Sequence, residues 1–526
     1  MKVAGFCSGH DCAYAILKDG IPVLHNELER FTREKEPLGD SIGFMFDSYE
    51  EHSDIKHFAH CFDTYNGGIE KRYPETLSKM MSIANQNGGD YFIPGHHESH
   101  AANAFFSSNF DEALIVSIDG GGRDYGIDKE EVIATFTAWE GTGTKVNKIQ
   151  ILPGNVVNIG VSWTECTKQI FGLSGGYPKG NQAGTVMAMA CMGDANKYWK
   201  HFYDSGLRDY KGINFKALRQ QALKGEQEMF DIAAGLQRAT EKITKSILDT
   251  YVERYPYKNL CLSGGVVLNS VMVGKMYDWY PQIENIYVCP VPYDAGLAIG
   301  AAQYVYHHVL GNPRIDWQDN ASPYLGKKYS RQHILSAIQS SGFHCEDSFS
   351  NDDAAKLLSK DDNIISVFAG GSESGRRALG NRSILADPRS PNMKDIINEK
   401  VKHRQWFRPF APSVLREDVS DWFEKDVDCP YMTAVIKFKK SVVEKVPAVV
   451  HLDGTGRLQT VTEKDNPWYY NFIKKFKEYS GVPIVLNTSF NDREPIVETP
   501  EHAIACFAQT DIDYLYFADE ELLVRK

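Results

Sequence analysis

The sequence predicts an α/β protein of two domains, and three observations carry that expectation. Short apolar runs end repeatedly in glycine: Lys2 to Phe6, Ala113 to Asp119 before Gly120-Gly121-Gly122, and Asn259 to Ser263 before Gly264-Gly265. Each reads as a buried strand ending in a tight turn. Helical patterns at Asp231 to Tyr251 and Ala295 to Val309 alternate with these runs, as in layered α/β architecture with a mixed sheet. The chain has 526 residues and 42% hydrophobic content, enough to bury more than one core.

In chain order, the two strand-to-glycine turns of the first part suggest a duplicated, nucleotide-cleft architecture. The pattern loosens between Gly311 and Asn351, at Asn312-Pro313, Asp319-Asn320 and Ser340-Ser341-Gly342. The domains are therefore drawn as 1–345 and 346–526. The second begins with a strand at Asn363 to Ala369. It continues with a strand at Val482 to Asn487, a helix at Pro500 to Gln509 and a closing strand at Tyr514 to Phe517.

Composition narrows the function. The net charge of −12 disfavours nucleic acid as a partner, although a local basic groove is compatible with it. The 10 cysteines include no Cys-x-x-Cys pair, which fits reduced thiols in a cytoplasmic protein rather than a zinc ribbon or disulfide framework. No apolar stretch reaches the length of a membrane span.

Gly95-His96-His97-Glu98-Ser99-His100 opens a helix on which His96 and His100, four residues apart, share a face. Two such imidazoles can hold one divalent ion, with Asp119 adding a hard oxygen and Asp294, at a strand-to-helix turn, as the candidate fourth ligand. Mixed nitrogen and oxygen donors suit iron, manganese or zinc alike. Asp119-Gly-Gly-Gly and Ser263-Gly-Gly-Val-Val-Leu-Asn269 are turns whose backbone amides can approach a phosphate, though ordinary strand-end turns look the same.

The densest basic chemistry lies in Glu373-Ser-Gly-Arg-Arg377-Ala-Leu-Gly-Asn-Arg382-Ser383 and Lys402-His-Arg404-Gln-Trp-Phe-Arg408-Pro-Phe-Ala-Pro-Ser413. Guanidinium groups beside glycine turns suit a site that grips several phosphate oxygens, against the alternative of a solvated basic face. Arg408 lies in an apolar segment, where a buried cation needs a partner such as phosphate. Asp453-Gly-Thr-Gly-Arg457 and Asn487-Thr-Ser489-Phe-Asn491 add donors.

These stretches, with Gly9-His10-Asp11 and Gly184-Thr-Val-Met187, resemble the nodulation and antibiotic O-carbamoyltransferase family over nearly the whole chain. The resemblance implies an N-terminal actin/sugar-kinase-like (ASKHA) domain with mixed sheets, similar to tRNA threonylcarbamoyl-transfer enzymes, and a C-terminal YrdC-like α/β domain. The second would form carbamoyl-adenylate from carbamoyl phosphate and ATP, the latter with Mg. The first would pass the carbamoyl group to a hydroxyl of a small-molecule acceptor, such as a natural product or sugar, with a hydroxyl on a modified nucleotide or nucleic acid as the alternative. Because carbamoyl-adenylate hydrolyses in bulk water, an enclosed path for it is expected.

On the same resemblance, Arg377, Lys402, Arg408, Arg457 and Ser489 would bind carbamoyl phosphate and the ATP phosphates. Gly120, Gly121, Gly264, Gly265 and Asn269 would line the nucleotide pocket. His96, His100, Asp119 and Asp294 would hold the metal, iron foremost, and His10, as a neutral imidazole, would be the base for the acceptor hydroxyl. The chain departs from the family at Gly371, where arginine is common, at Arg376, where proline is common, and at Thr185, where lysine is usual. Residues 123 to 215, including Gly175-Gly176-Tyr177-Pro178, are the candidate acceptor-shaping region.

Other readings are weaker. A hydrogenase-maturation carbamoyltransferase calls for zinc cysteine pairs, which are absent. A tRNA-modifying role is disfavoured by the charge. A non-catalytic ATP-binding module has no use for a second anion site.

Overall fold

Strand β1 (Lys2–Cys7) is buried at every residue but its first, as a run without polar alternation requires in the middle of a covered sheet. The computed structural model describes residues 1–61, 73–127, 130–173, 182–205, 207–208, 210–315 and 323–526. β1 lies between β2 (Ala13–Lys18), antiparallel, and β4 (Ile55–His60), parallel. β3 (Ile21–Glu27) and β5 (Tyr91–Phe92) complete a sheet of order β3-β2-β1-β4-β5.

The second sheet repeats that plan. Its strands are β6 (Glu112–Tyr125), β7 (Glu131–Thr142), β8 (Lys145–Pro153), β9 (Asn259–Ser263) and β10 (Asn285–Val288), in the order β10-β9-β6-β7-β8. In each sheet the first three strands form an antiparallel meander and the fourth and fifth add in parallel beside the first. This shared topology is the duplication expected from the two glycine turns. The helices His96–Phe106 and Leu297–Gln303 pack on each other, and the latter also lies against β1.

One strand differs from its expectation. The sequence pattern ends the run from Ala113 at Asp119, but β6 continues through the glycines to Tyr125. Its pairing with β7 passes from Ile118↔Phe136 to Gly122↔Ala134, so Asp119, Gly120 and Gly121 together face Thr135. Glycines in a strand mark a bulge here rather than a stop.

The chain divides into compact units Met1–Ser322 and Pro323–Lys526. The sequence-based division at 345/346 therefore falls inside the second unit, because the Arg331–Ser341 helix packs against the Pro500–Gln509 helix.

The second unit is built on one mixed sheet, in which β11 is His344–Glu346, β12 Ile364–Phe368, β13 Arg382–Ala386, β14 Ala411–Leu415 and β15 Ala434–Lys437. β16 is Thr455–Val461, β17 Ile484–Ser489, β18 Tyr514–Phe517 and β19 Leu522–Arg525. The order is β11-β19-β18-β12-β13-β17-β14-β16-β15. Ile365, Val367, Leu385 and Val485 pack against Leu358, Tyr469, Phe472 and Phe476 of two covering helices, forming its core.

Candidate metal centre and anion site

The His96–Phe106 helix carries both candidate imidazoles and is buried on nearly every side. Glu98 Oε2 accepts the Gly95 N–H at 2.8 Å, and Asp124 Oδ2 accepts the His97 N–H at 2.7 Å, so carboxylates fix the helix start. Gly122, just past the bulge, lies so close to His96 that a Cβ there would stand 2.1 Å from the ring. The bulge turns Asp119 toward that ring. Asp294 begins the turn that leads into the Leu297–Gln303 helix.

These elements bring His96, His100, Asp119 and Asp294 together, with one donor atom of each lying within 4.8 Å of the others. His96 Nε2 is 3.3 Å from Asp119 Oδ2 and 3.8 Å from Asp294 Oδ1, and His100 Nε2 is 3.6 Å from Asp294 Oδ1. Ligands about 2.0–2.2 Å from a central ion stand roughly 3–4 Å apart, so the spacing needs little adjustment. His100 Nε2 is buried with no hydrogen-bond partner, a further fit to an ion. Burial pushes the Asp119 carboxyl up, but the His96 hydrogen bond and the nearby imidazoles pull it well below the usual carboxylate range. Burial likewise pushes His96 down, and the charge of Asp294 with contacts from Asp119 and Cys61 raises it well above the usual imidazole range. A divalent ion neutralises such a set by displacing the histidine protons.

His10 joins this centre, with Nε2 3.4 Å from Asp294 and Nδ1 3.4 Å from Asp11. Its pKa is raised to about 9 by Asp11 first and Asp294 second, so these carboxylates hold it protonated at neutral pH. That corrects the neutral imidazole expected from the sequence.

The glycine turns also differ from their expected use. Gly265 N–H donates to Asp119 Oδ1 at 2.8 Å and Gly121 N–H to Asp119 Oδ2 at 3.3 Å, so both amides serve a buried carboxylate rather than pointing at a phosphate. Gly264 has φ +91°, and a Cβ there would meet the Ile118 carbonyl oxygen at 2.2 Å. Gly120 packs against Gly160. Asn269 caps the Ser270–Trp279 helix through the Met272 N–H and exchanges amide hydrogen bonds with Gln237, which occupies its side chain.

The second unit gathers the basic residues. Glu373 Oε1 accepts three backbone N–H groups, from Leu379, Asn381 and Arg382, and so shapes the loop that carries Arg377. Asn487 and Gln459, on β17 and β16, donate to the carbonyls of Ala378 and Leu379. Arg457 lies two residues before Gln459 on the same strand and projects from the same face. Burial is the larger cause, and the charges of Arg377 and Arg408 the next, that hold Arg457 well below the guanidinium range. Arg404 is lowered in the same way by burial and then by Arg408 and Arg457, and burial brings Arg408 down to about 10. Arg377, Arg404, Arg408 and Arg457 thus form one mutually repelling cluster, suited to an anion. Arg404 was not singled out from the sequence. Its position rests on a 2.7 Å hydrogen bond to Asn398 Oδ1 and on the Phe410 ring, 4.7 Å away.

Lys402 and Ser489 meet, but the lysine is turned inward. Its ammonium donates among Ser489 O, Ser489 Oγ, Asn491 O and Asn491 Oδ1 at 2.6–3.3 Å, fixing the end of β17. Arg382 is wholly buried, bonded to carbonyls of Ala369, Gly370 and Asn381 and stacked 3.4 Å from the Phe368 ring centre, so it is structural. At Gly371 a Cβ would stand 2.4 Å from the Gly326 carbonyl oxygen, which explains why no arginine occupies that family position here. Arg376 remains partly exposed, and Thr185 is buried in the Ala183–Ala190 helix. Gly175-Gly176-Tyr177-Pro178 lies outside the described residues.

Residues 69–303 match the carbamoyltransferase N-terminus and residues 355–526 the carbamoyltransferase C-terminus. Nodulation protein NolO of Bradyrhizobium diazoefficiens is 35% identical over 458 residues, covering 82% of this chain and 78% of NolO. The chain belongs to the carbamoyltransferase family. Nodulation protein NolNO of Sinorhizobium fredii is 36% identical, over 80% of this chain and 62% of that protein. An uncharacterized protein of Synechocystis, sll1178, is 31% identical over 96% of this chain and 94% of its own length. Among solved structures, full-length HypF in its phosphate- and nucleotide-bound form gives a TM-score of 0.35 at 13% identity, covering 59% of this chain and 46% of HypF. The ROK hexokinase of Thermus thermophilus gives 0.31 at 11%, covering 58% of this chain and 98% of the hexokinase. This carbamoyltransferase has no helix, among its described residues, long and apolar enough to cross a membrane.

Proposed function

We propose that this carbamoyltransferase is an ATP-dependent O-carbamoyltransferase whose second unit is a YrdC-like adenylate-forming domain and whose first is actin/sugar-kinase-like. The observation that carries the reading is the arginine cluster of Arg377, Arg404, Arg408 and Arg457, because adenylation concentrates phosphate charge that such a cluster stabilises. Water cleaves carbamoyl phosphate to carbamate and inorganic phosphate, a carbamate oxygen bonds to the α-phosphorus of Mg-bound ATP, and the bond to the β-phosphate breaks as pyrophosphate leaves. The acceptor hydroxyl oxygen then bonds to the carbamoyl carbon as AMP leaves.

His96, His100, Asp119 and Asp294 would hold a divalent ion, iron first with manganese or zinc as alternatives. When bound, it supplies charge neutralisation and polarisation at the transfer site. With Asp294 bound to a divalent ion, less negative charge would face His10, and its Nε2, then free of its proton, is the position proposed to take up the hydroxyl proton. A natural-product or sugar hydroxyl is the proposed acceptor class, in the cytoplasm. The test is pyrophosphate release from ATP with and without carbamoyl phosphate. Release that requires carbamoyl phosphate and falls at least about 100-fold in Arg377→Ala is expected, on the scale of losing a charged transition-state contact. Carbamoyl-phosphate-independent release, or full release by the variant, would refute the assignment.

A further inference from the structure

The Ser263-Gly264-Gly265 turn looks in sequence like a phosphate cradle, yet its polar groups face metal ligands. Ser263 Oγ lies 3.2 Å from His100 Nδ1 and 3.2 Å from the carbonyl oxygen of Pro292. Ser263 and His100 are both fully buried, so no solvent competes for these contacts. One residue on, Gly264 N–H donates to the same Pro292 carbonyl at 2.7 Å, which locks the turn. Gly265 N–H then reaches Asp119 Oδ1.

The protons of this chain of contacts can be assigned. His100 Nε2 is the atom that faces Asp294 Oδ1, at 3.6 Å, a separation too long for a hydrogen bond. With Nε2 donating its lone pair to an ion, the single ring proton resides on Nδ1 and is donated to Ser263 Oγ. The Ser263 hydroxyl proton then goes to the Pro292 carbonyl. The buried Cys289 thiol also contacts Ser263; with the Ser263 hydroxyl donating to Pro292 and accepting from His100 Nδ1, the imidazole is held in the tautomer and orientation that ligation needs.

We infer that the Ser263–Gly265 turn braces the metal centre, with Ser263 the positioning residue that fixes the His100 tautomer and Gly265 orienting Asp119. This rests on the metal reading of the four-residue cluster. It assigns the glycine turn a role that neither the family match nor the spacing of its residues implies.

The experiment titrates chelator-treated full-length protein with Co²⁺, following the visible d–d absorption and the bound metal after dialysis. Wild type is expected to bind one Co²⁺ per chain, and Ser263→Ala to bind it about 10- to 100-fold more weakly, the range for loss of an outer partner of a metal-bound histidine. Metal-free melting curves of the two proteins should coincide, separating ligand positioning from folding. Should Ser263→Ala melt early, Ser263→Cys, which retains a weak acceptor of similar size, is expected to bind with intermediate affinity. Equal Co²⁺ affinity and an unchanged spectrum in the folded variant would overturn the inference while leaving the metal centre standing. Wild-type protein that binds no Co²⁺ would remove the metal reading itself, and this one with it.

Discussion

Replacing Arg408 with methionine should stabilise the protein while abolishing the proposed activation chemistry. Burial draws the Arg408 guanidinium down to about 10. At about 1.4 kcal/mol per pKa unit, that depression corresponds to about 3 kcal/mol of unfavourable charge burial. The sign follows from linkage: a base with a depressed folded-state pKa is charged in both folded and unfolded states at neutral pH. The penalty is therefore fully present at pH 7 and fades only as pH rises through 10 toward the unfolded value. Methionine keeps much of the aliphatic stem and removes the charge, so a gain of roughly 1–3 kcal/mol is expected after relaxation. For a unit of this size that is a rise in Tm of roughly 2–10 °C. Melting of the full chain with and without inorganic pyrophosphate measures both halves. Pyrophosphate at a hundred times its Kd should add about 2.7 kcal/mol to wild type and far less to Arg408→Met. A variant that melts below wild type, or that keeps carbamoyl-phosphate-dependent pyrophosphate release, would refute the idea that this charge is held against its own folding preference for the sake of an anion.

Two further changes probe each unit. Lys402→Met removes the ammonium that ties Ser489 to Asn491, and should destabilise the chain by about 2–4 kcal/mol, measured by urea unfolding, because several buried oxygens lose a charged donor. Unchanged unfolding would mean that β17 does not depend on that contact. Gly122→Ala places a methyl where the His96 ring lies, and should reduce bound Co²⁺ well below one per chain with little change in far-UV circular dichroism. Full Co²⁺ occupancy would show that His96 can move aside without loss of the centre.

Much of the fold was legible because it rests on local pattern. The i, i+4 spacing of His96 and His100 placed both imidazoles on one helix, and the two strand-to-glycine turns suggested a duplicated plan, although both lie on neighbouring strands, β6 and β9, of one of the two sheets. What glycine does not announce is the identity of the neighbour that needs the space. At Gly122 it is an imidazole, and at Gly264 a carbonyl oxygen in a positive-φ turn. The same ambiguity turned the two proposed phosphate cradles into supports for Asp119. Asp294 lies far along the chain from His96, so spacing could not place it; its position at a strand-to-helix turn made it a candidate, and the family resemblance supported the assignment. Lys402 and Arg404 are neighbours of similar composition, yet one is enclosed by Ser489 and Asn491 while the other is aimed by Asn398 and Phe410. Those partners lie across a sheet edge or a turn of helix, where direction is set by tertiary packing.

Net charge was an equally incomplete guide. A chain of charge −12 holds a cluster in which Arg408 and Arg457 lower the proton affinity of Arg404, and Arg377 and Arg408 that of Arg457, because charges in a buried setting interact more strongly than distant surface carboxylates, which are screened. The acidic total therefore does not weaken the case for an anion site in residues 323–526. It bears instead on size: a small phosphate inside the cluster meets the arginines, whereas a long polyanion laid over the surface would meet the excess of carboxylates as well. The same distribution that suits the proposed ligands, carbamoyl phosphate and ATP, thus disfavours an extended nucleic acid.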